Sequence, residues 1–420
     1  MRNTTSRVIA GDCIVSNDTW TTGLNNNDVI IGPSGSGKTR GYVMPNLLQG
    51  GDSLIVADTK GSLRRSFGAY LARNGYTVID LDLTDCGHSV GYNPLDYIRC
   101  DPQAGRYNDQ DIMTIASAMV PVENHSDPFW DMAARTYLES MIGYVLECLP
   151  EEEHHLDSVV QLFSTMGSPV FDLLFTELAD MCPDSFAAVR YNMYKSTARA
   201  EKMYASIQGI LAEKLSLLYS DGLKTMFTRQ ERIDLACLGR EKTAMFLTVS
   251  DTDRSMDRLA NLFYTQALHV LCRTADASPG NRLEVPVRFI LDDFAANVFI
   301  PDFDKITSVI RSREISVSII LQSLTQLESM YGHAKAATIL NNCDTCLYLG
   351  GQDVETAQYI SIKANRSVNT ILNMPLDRAW LFTRGREPRM VHKYCLETHE
   401  RYRELFAPET EEWEGEEEFE

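Results

Sequence analysis

The chain has 420 residues, 44% of them hydrophobic and 23% charged, a balance that excludes disorder throughout and leaves room for two or three domains. Its net charge of −19 argues against coating nucleic acid with the outer surface, although an internal basic channel stays open. No stretch approaches the roughly 18 apolar residues of a membrane helix. The start, "MRNTTSRVIAGDC", has no apolar core long enough for a signal peptide, so a soluble cytoplasmic chain is expected.

In chain order, the first block of apolar runs is "DVIIG" (28–32), "SLIVAD" (53–58) and "TVIDLD" (77–82), with helix-like segments between. Such near-continuous runs read as strands buried on both faces of a parallel sheet. Residues 105–230 contain no convincing strand; "DMAARTYLESMIGYVLECL" (131–149), "SVVQLF" and "VFDLLFTELADM" carry apolar residues at helical spacing. A second block follows, with "KTAMFLTV" (242–249), "VRFILDD" (287–293), "VSIILQ" (317–322), "CLYLGG" (346–351) and "AWLFT" (379–383). The alternation predicts an α/β fold with a doubly wound, mainly parallel sheet plus an all-α inserted domain. The expected division is a nucleotide-binding domain in two parts, 1–104 and 231–406, around an all-helical inserted domain at 105–230.

The remaining features are minor. Residues 407–420 form an acidic tail holding eight glutamates, "ETEEWEGEEEFE". It reads as a solvated tail or as an acidic docking peptide anchored on Trp413 and Phe419. Cys343 and Cys346 form the one C-x-x-C, inside an apolar run and without a second pair at zinc-site spacing, so they read as buried reduced thiols. The adjacent His154 and His155, in a polar stretch, are expected at the surface.

The chemistry concentrates in "GPSGSGKT". Gly32, Pro33, Ser34, Gly35, Ser36, Gly37, Lys38 and Thr39 match G-x-x-x-x-G-K-[ST] in full, after a strand and before the helical run "KTRGYVMPNLLQ". The glycines let the backbone curl so that successive N–H groups point at phosphate oxygens. Lys38 supplies a point charge for the β- and γ-phosphates of ATP, and the Thr39 hydroxyl can ligate Mg²⁺. A second Mg²⁺ carboxylate is needed at the end of a neighbouring strand. "RFILDDF" offers Asp292 for the metal and Asp293 to polarise the attacking water, and its strand is expected beside the phosphate-loop strand. Gln322, ending "VSIILQ", is placed to reach the γ-phosphate or the water. A carboxylate pair capping a helix and a polar strand end are the plainer alternatives.

Several runs together resemble the conjugative coupling proteins, the DNA-transfer ATPases of type IV secretion systems within the RecA-like superfamily. They are "GLNNNDVIIGPSGSGKTRGYVMPNLLQ" (23–49), "VADTKGSLRRSFGAYLARNGYTVIDLDL" (56–83), "GYNPLDYI" (91–98), "DDFAANVFIPDFDKITSVIRSREISVSIILQSLTQLESMYG" (292–332) and "NNCDTCLYLGGQDVETAQYIS" (341–361). The resemblance implies a RecA-like P-loop NTPase in which residues 32–39 are Walker A, Asp292 is the Walker B aspartate and Gln322 is the sensor glutamine. Arg311, in "IRSR", falls near the arginine expected to reach the nucleotide of a neighbouring subunit; an exposed helix end is the alternative.

That family implies a homo-hexameric ring whose channel passes single-stranded DNA, attached to a relaxase, toward the components of a type IV secretion channel. Arg64, Arg65, Lys195, Arg199 and Lys202 are candidate phosphate contacts, each also readable as a plain surface charge. Both 105–230 and 408–420 are candidate partner sites. Two departures stand out. Asp293 replaces the usual glutamate, one methylene shorter, which predicts slow hydrolysis. The family's N-terminal pair of membrane helices does not precede the first strand here, which leaves a soluble variant, a fragment, or a separate membrane-anchoring partner at the inner face of the plasma membrane. The competing functions are another RecA-like DNA translocase or helicase, and a non-hydrolysing ATP-binding docking adaptor.

Overall fold

A computed structural model describes residues 5–123, 126–197, 201–294 and 299–406. The acidic tail and Arg199 lie outside the described residues. The chain opens on an antiparallel hairpin of β1 (Ser6–Ala10) and β2 (Cys13–Ser16). The first large-sheet strands are β3 (Asp28–Ile31), β4 (Ser53–Asp58) and β5 (Thr77–Asp82), followed by a two-residue ribbon of β6 (Cys100–Asp101) and β7 (Arg106–Tyr107). The later strands are β8 (Thr243–Thr248), β9 (Val287–Leu291), β10 (Ile315–Leu321), β11 (Thr345–Tyr348), β12 (Arg378–Thr383) and β13 (Arg389–His392).

Among the described residues, nine strands build the large sheet in the order β13-β12-β11-β3-β10-β9-β4-β8-β5. The run from β11 to β5 is parallel throughout, and β12 and β13 extend its edge antiparallel. The mixed, mostly parallel sheet with helices between its strands is the fold class read from the apolar runs. One expectation about its interior needs correcting. β3 and β9 are not neighbours, because β10 lies between them. Sequence order does not set spatial order where each connection is a crossover, and β10 joins both strands in parallel register.

The continuous apolar runs follow from burial on both faces. Ile55 and Ala57 of β4 and Met245 and Leu247 of β8 face one layer, while Leu54, Val56, Ala244 and Phe246 face the other. The second layer holds helix Ser62–Arg73, the helix after the phosphate loop, and the β1 hairpin. The first layer holds helix Asp257–Ala277 and the helices between Asp109–Met119 and Asp221–Thr228. These helices share one apolar cluster with the sheet face, centred on helix Phe129–Cys148, where Tyr137 stacks on Tyr194 at 3.9 Å between centroids. No single helix among the described residues is long and apolar enough to cross a membrane.

His155 corrects a second expectation. It is 8% exposed, and its Nδ1 accepts from the Ser158 N–H at 3.1 Å as the N-cap of helix Leu156–Ser164. Burial holds its imidazole below the ordinary value of 6.5. The folded chain therefore binds fewer protons at this site than the unfolded chain, so the stability it contributes is present above about pH 6.5 and lost as pH falls through the depressed folded value. In urea unfolding, the loss between pH 7.5 and 5.5 should be smaller in His155→Asn, whose cap does not titrate, than in the parent.

Candidate nucleotide site and family

The phosphate loop leaves the carboxyl end of β3 and is stitched to the next strand by the Gly32 N–H donating to the Leu321 carbonyl at 3.0 Å. Gly32 has no room for a side chain: a Cβ there would collide with Ser36 Oγ and Leu349 Cβ. Gly37 sits at φ +94°, a left-handed conformation that favours glycine. The following helix starts as a π-turn over Thr39–Val43 and continues as α-helix over Met44–Gln49. Pro45, which has no N–H and would crowd the carbonyl four residues back, accounts for the widened turn before it.

The structure brings five of the expected residues to one place at the carboxyl edge of the sheet. Lys38 is 7% exposed, and its Nζ donates to the carbonyls of Gly32 (2.8 Å) and Pro33 (3.1 Å). The Thr39 hydroxyl donates to Asp292 Oδ2 at 2.8 Å, although their strands are separated by β10. Two strand spacings are about 10 Å. The gap closes because Thr39 stands past the loop, which curls over the end of β10. Asp293 follows in the left-handed region at φ +49°, its N–H donating to Asp292 Oδ1 at 3.1 Å. Gln322 Nε2 lies 3.5 Å from Asp293 Oδ1.

Burial raises the Asp292 carboxyl above the ordinary carboxylate range, while the Thr39 hydrogen bond and the Lys38 charge pull it back. Ser36 Oγ is buried without a hydrogen-bond partner, a polar atom in the loop that a phosphate oxygen would satisfy. A hydroxyl and a carboxylate in contact are hard oxygen donors, the set that suits Mg²⁺ retaining most of its water. Pro33, Ser34 and Gly35 form the exposed crest of the loop.

Arg311 stands apart. It lies in the 3₁₀ turn Ile310–Arg313 before β10, at the amino edge of the sheet, whereas Gln322 and the phosphate loop lie at the carboxyl edge. The seven residues of β10 separate those edges by about 20 Å. Arg311 is exposed, with Nη2 3.4 Å from the Thr19 carbonyl, beside a cavity of about 540 Å³ that Trp20, Arg282 and Arg313 also line.

The candidate DNA contacts fall into two groups. Arg64 and Arg65 are on helix Ser62–Arg73 at the carboxyl edge; Arg64 pairs with Asp80 at 3.6 Å, and Arg65 donates to the Lys60 carbonyl at 2.8 Å. Lys195 sits 3.4 Å from Asp172 and over the rings of Tyr191 and Tyr204, and Lys202 is exposed on the next helix. Cys343 and Cys346 are free thiols at β11, with burial pushing Cys346 up to about 11.

Contacts from the end of the chain went unread in the sequence. Lys393 Nζ donates to the Ser36 carbonyl of the loop at 3.0 Å, and Arg40 pairs with Glu397. The only local hint is an arginine directly after "GKT".

Residues 2–365 match the family model described as "Type IV secretory system Conjugative DNA transfer". The chain is 24% identical over 344 residues to the protein VirD4 of Rhizobium radiobacter, covering 81% of this chain and 48% of that protein. It thus spans about half the length of the curated relatives it matches. Its fold is similar to that of the bacterial conjugative coupling protein TrwBΔN70, with a TM-score of 0.68 at 17% identity over 94% of this chain and 90% of that one. The plasmid coupling protein TrwB solved in complex with ADP and Mg²⁺ gives a TM-score of 0.64 at 18% identity, over 88% and 86%. A match over residues 2–365, on a fold shared with these coupling proteins, establishes that the chain belongs to the type IV secretory system conjugative DNA transfer family.

Proposed function

We propose that this chain is the motor part of a coupling protein, using ATP to move relaxase-bound single-stranded DNA toward a type IV secretion channel. The observation that carries the reading is the 2.8 Å contact of Thr39 with Asp292 beside a buried Lys38, the arrangement a Mg²⁺–triphosphate needs. Bound Mg²⁺ would neutralise charge on the phosphates. The loop N–H groups from Gly35 to Thr39 cradle the phosphates, and Lys38 exchanges its two loop carbonyls for phosphate oxygens. Thr39 and Asp292 hold the metal side. Asp293 accepts a hydrogen bond from the attacking water, and Gln322 orients the same water.

Arg311 acts in trans in this reading. Exposed at the sheet edge opposite its own phosphate loop, it can stabilise developing charge only in an adjoining protomer of a homo-hexamer. The helical stretch 105–230 is the substrate-facing domain and 407–420 an acidic docking segment. The chain works at the inner face of the plasma membrane through an anchoring partner or segment. The test is ATP hydrolysis by the purified chain with and without single-stranded DNA: stimulation supports the reading, and no hydrolysis under either condition overturns it.

A second reading, an ATP-binding docking adaptor, draws on Asp293, whose short side chain leaves a catalytic water farther away than glutamate would. Asp293→Glu should raise turnover by roughly 3- to 10-fold if water positioning limits the rate, a small part of the about 10²–10⁴-fold that a positioned general base contributes. Rates near zero in both proteins favour the adaptor.

A further inference from the structure

We propose that Tyr331 is the positioning residue for Asp293, clamping the segment that follows it so that the carboxylate stays turned toward the attacking water. The proposal rests on the ATP-hydrolysis reading above. Asp293 is a non-glycine residue in the left-handed region, at φ +49°. A backbone strained in this way persists only where its surroundings over-determine it, and such strain gathers at functional sites. The entry to the turn is fixed by β9 and by the Asp293 N–H on Asp292 Oδ1 at 3.1 Å. Its exit is fixed by Phe294.

Phe294 is fully buried, with its ring centroid 5.2 Å from that of Phe303 and 6.1 Å from that of Tyr331, whose ring is parallel to it within 5°. The chain returns to the same tyrosine at Ile300. The Ile300 N–H donates to the Tyr331 hydroxyl at 2.9 Å, and the hydroxyl donates to the Ile300 carbonyl at 3.2 Å. The Phe299 ring stacks on Tyr331 at 5.1 Å, while the Phe299 N–H donates to Asn261 Oδ1 at 2.7 Å. One side chain thus holds both the exit from Asp293 and the return of the chain.

Tyr331 is also tied to the second water-handling group. It ends helix Leu324–Tyr331, which begins two residues after Gln322. The Gln322 N–H donates to Gln326 Oε1 of that helix at 3.1 Å, and Gln322 Nε2 faces Asp293 Oδ1 at 3.5 Å. Asp293 and Gln322 are therefore held from the two ends of one helix, about 12 Å apart. With the clamp on Ile300 open, Phe294 can leave its pocket and Asp293 can relax to negative φ, swinging its carboxylate away from Gln322. Lys38 and Thr39 stand on the phosphate loop, outside the clamp, so nucleotide affinity should not follow.

Two measurements on the full chain test this role. In the first, Mg²⁺-ATP hydrolysis by Tyr331→Phe, which keeps the ring and loses the hydroxyl, is compared with the parent and with Tyr76→Phe. Tyr76 is the control because its hydroxyl makes the same pair of contacts in the opposite layer. It accepts from the Gly51 N–H at 2.8 Å and donates to the Asp52 carbonyl at 3.1 Å. Both variants should lower the urea midpoint, but only Tyr331→Phe should lower kcat, by about tenfold at parental KM. In the second, calorimetry compares Mg²⁺-ADP with beryllium fluoride, an analogue of bound ATP, and with aluminium fluoride, whose complex includes the attacking water. Tyr331→Phe should bind the first as the parent does and the second about tenfold more weakly.

Parental kcat in Tyr331→Phe, an equal fall in Tyr76→Phe, or equal loss for the two fluorides overturns the positioning role and leaves the hydrolysis reading standing. If Tyr331→Phe does not fold, Asn261→Ala, which loosens the same return from a half-buried position, carries the same expectation, and parental kcat there overturns the role. A parent chain that hydrolyses no ATP overturns both.

Discussion

Lys38→Ala is expected to lower ATP turnover by at least 100-fold while leaving the fold intact. Lys38 is 7% exposed and its ammonium lies among loop carbonyls, close to a buried carboxylate, so a phosphate arriving there meets a cation with little water to screen it. Removing one preorganised charge of this kind from a transition state costs about 2.7–4 kcal/mol, or 10²–10³ in rate. The methylene stem carries little of the core, and the carbonyls of Gly32 and Pro33 can turn to water, so the far-ultraviolet circular dichroism spectrum should match the parent. Lys38→Arg is expected to fail nearly as badly, because a planar fork does not fit a cradle shaped for a point charge. Steady-state hydrolysis across a range of ATP and Mg²⁺ concentrations checks this. Parental turnover in Lys38→Ala would remove the loop from the chemistry and with it the motor reading.

The parts of this site that were legible in the sequence are those whose geometry is local. A glycine-rich loop between strand and helix specifies its own curl, so residues 32–39 could be placed from eight consecutive letters. Asp292 could be placed because a hydrophobic strand that ends in a carboxylate presents it at the sheet edge. Lateral order was harder. Nothing in either strand announces that β10 inserts between β3 and β9, since both neighbours offer it similar apolar edges. The β1–β2 hairpin was missed because four- and five-residue strands carry too few alternations to stand out, and β1 draws its burial from the phosphate-loop helix. The ties from Lys393 to Ser36 and from Arg40 to Glu397 each join residues 357 positions apart, beyond the reach of any spacing rule. His155 reads as polar because a cap side chain and a surface side chain have the same letter.

The hairpin also explains the second large expected effect, on stability. At the amino end of β3, Asp28 accepts a two-pronged contact from Arg7 of β1, at 2.8 Å from Nε and 3.2 Å from Nη2. It also accepts from the Tyr42 hydroxyl at 2.7 Å and lies 3.5 Å from Arg288 Nη1. Arg7, Asp28, Tyr42 and Arg288 are each 3% exposed or less. One carboxylate thus ties the hairpin, the phosphate-loop helix and β9 together beneath the nucleotide site. Asp28→Asn keeps the shape but removes the carboxylate bonded to Arg7, leaving two buried guanidinium groups with Asp52, 3.7 Å from Arg288 Nε, as their remaining carboxylate; breaking a buried pair by removing one partner costs about 3–5 kcal/mol.

Urea unfolding should show that loss, and the damage should reach the loop through Tyr42, three residues beyond Thr39, as weaker ATP binding. The contrast is Asp251→Asn, which breaks an exposed 3.6 Å pair with Lys60 and should cost less than about 1 kcal/mol. If the two variants unfold alike, the charged cluster adds no more than an exposed pair, and the hairpin is held by Ile9, Ala10 and Cys13 in the apolar layer and by the hydrogen bonds of Val8 with Asn46 and of Asn17 with Asp52.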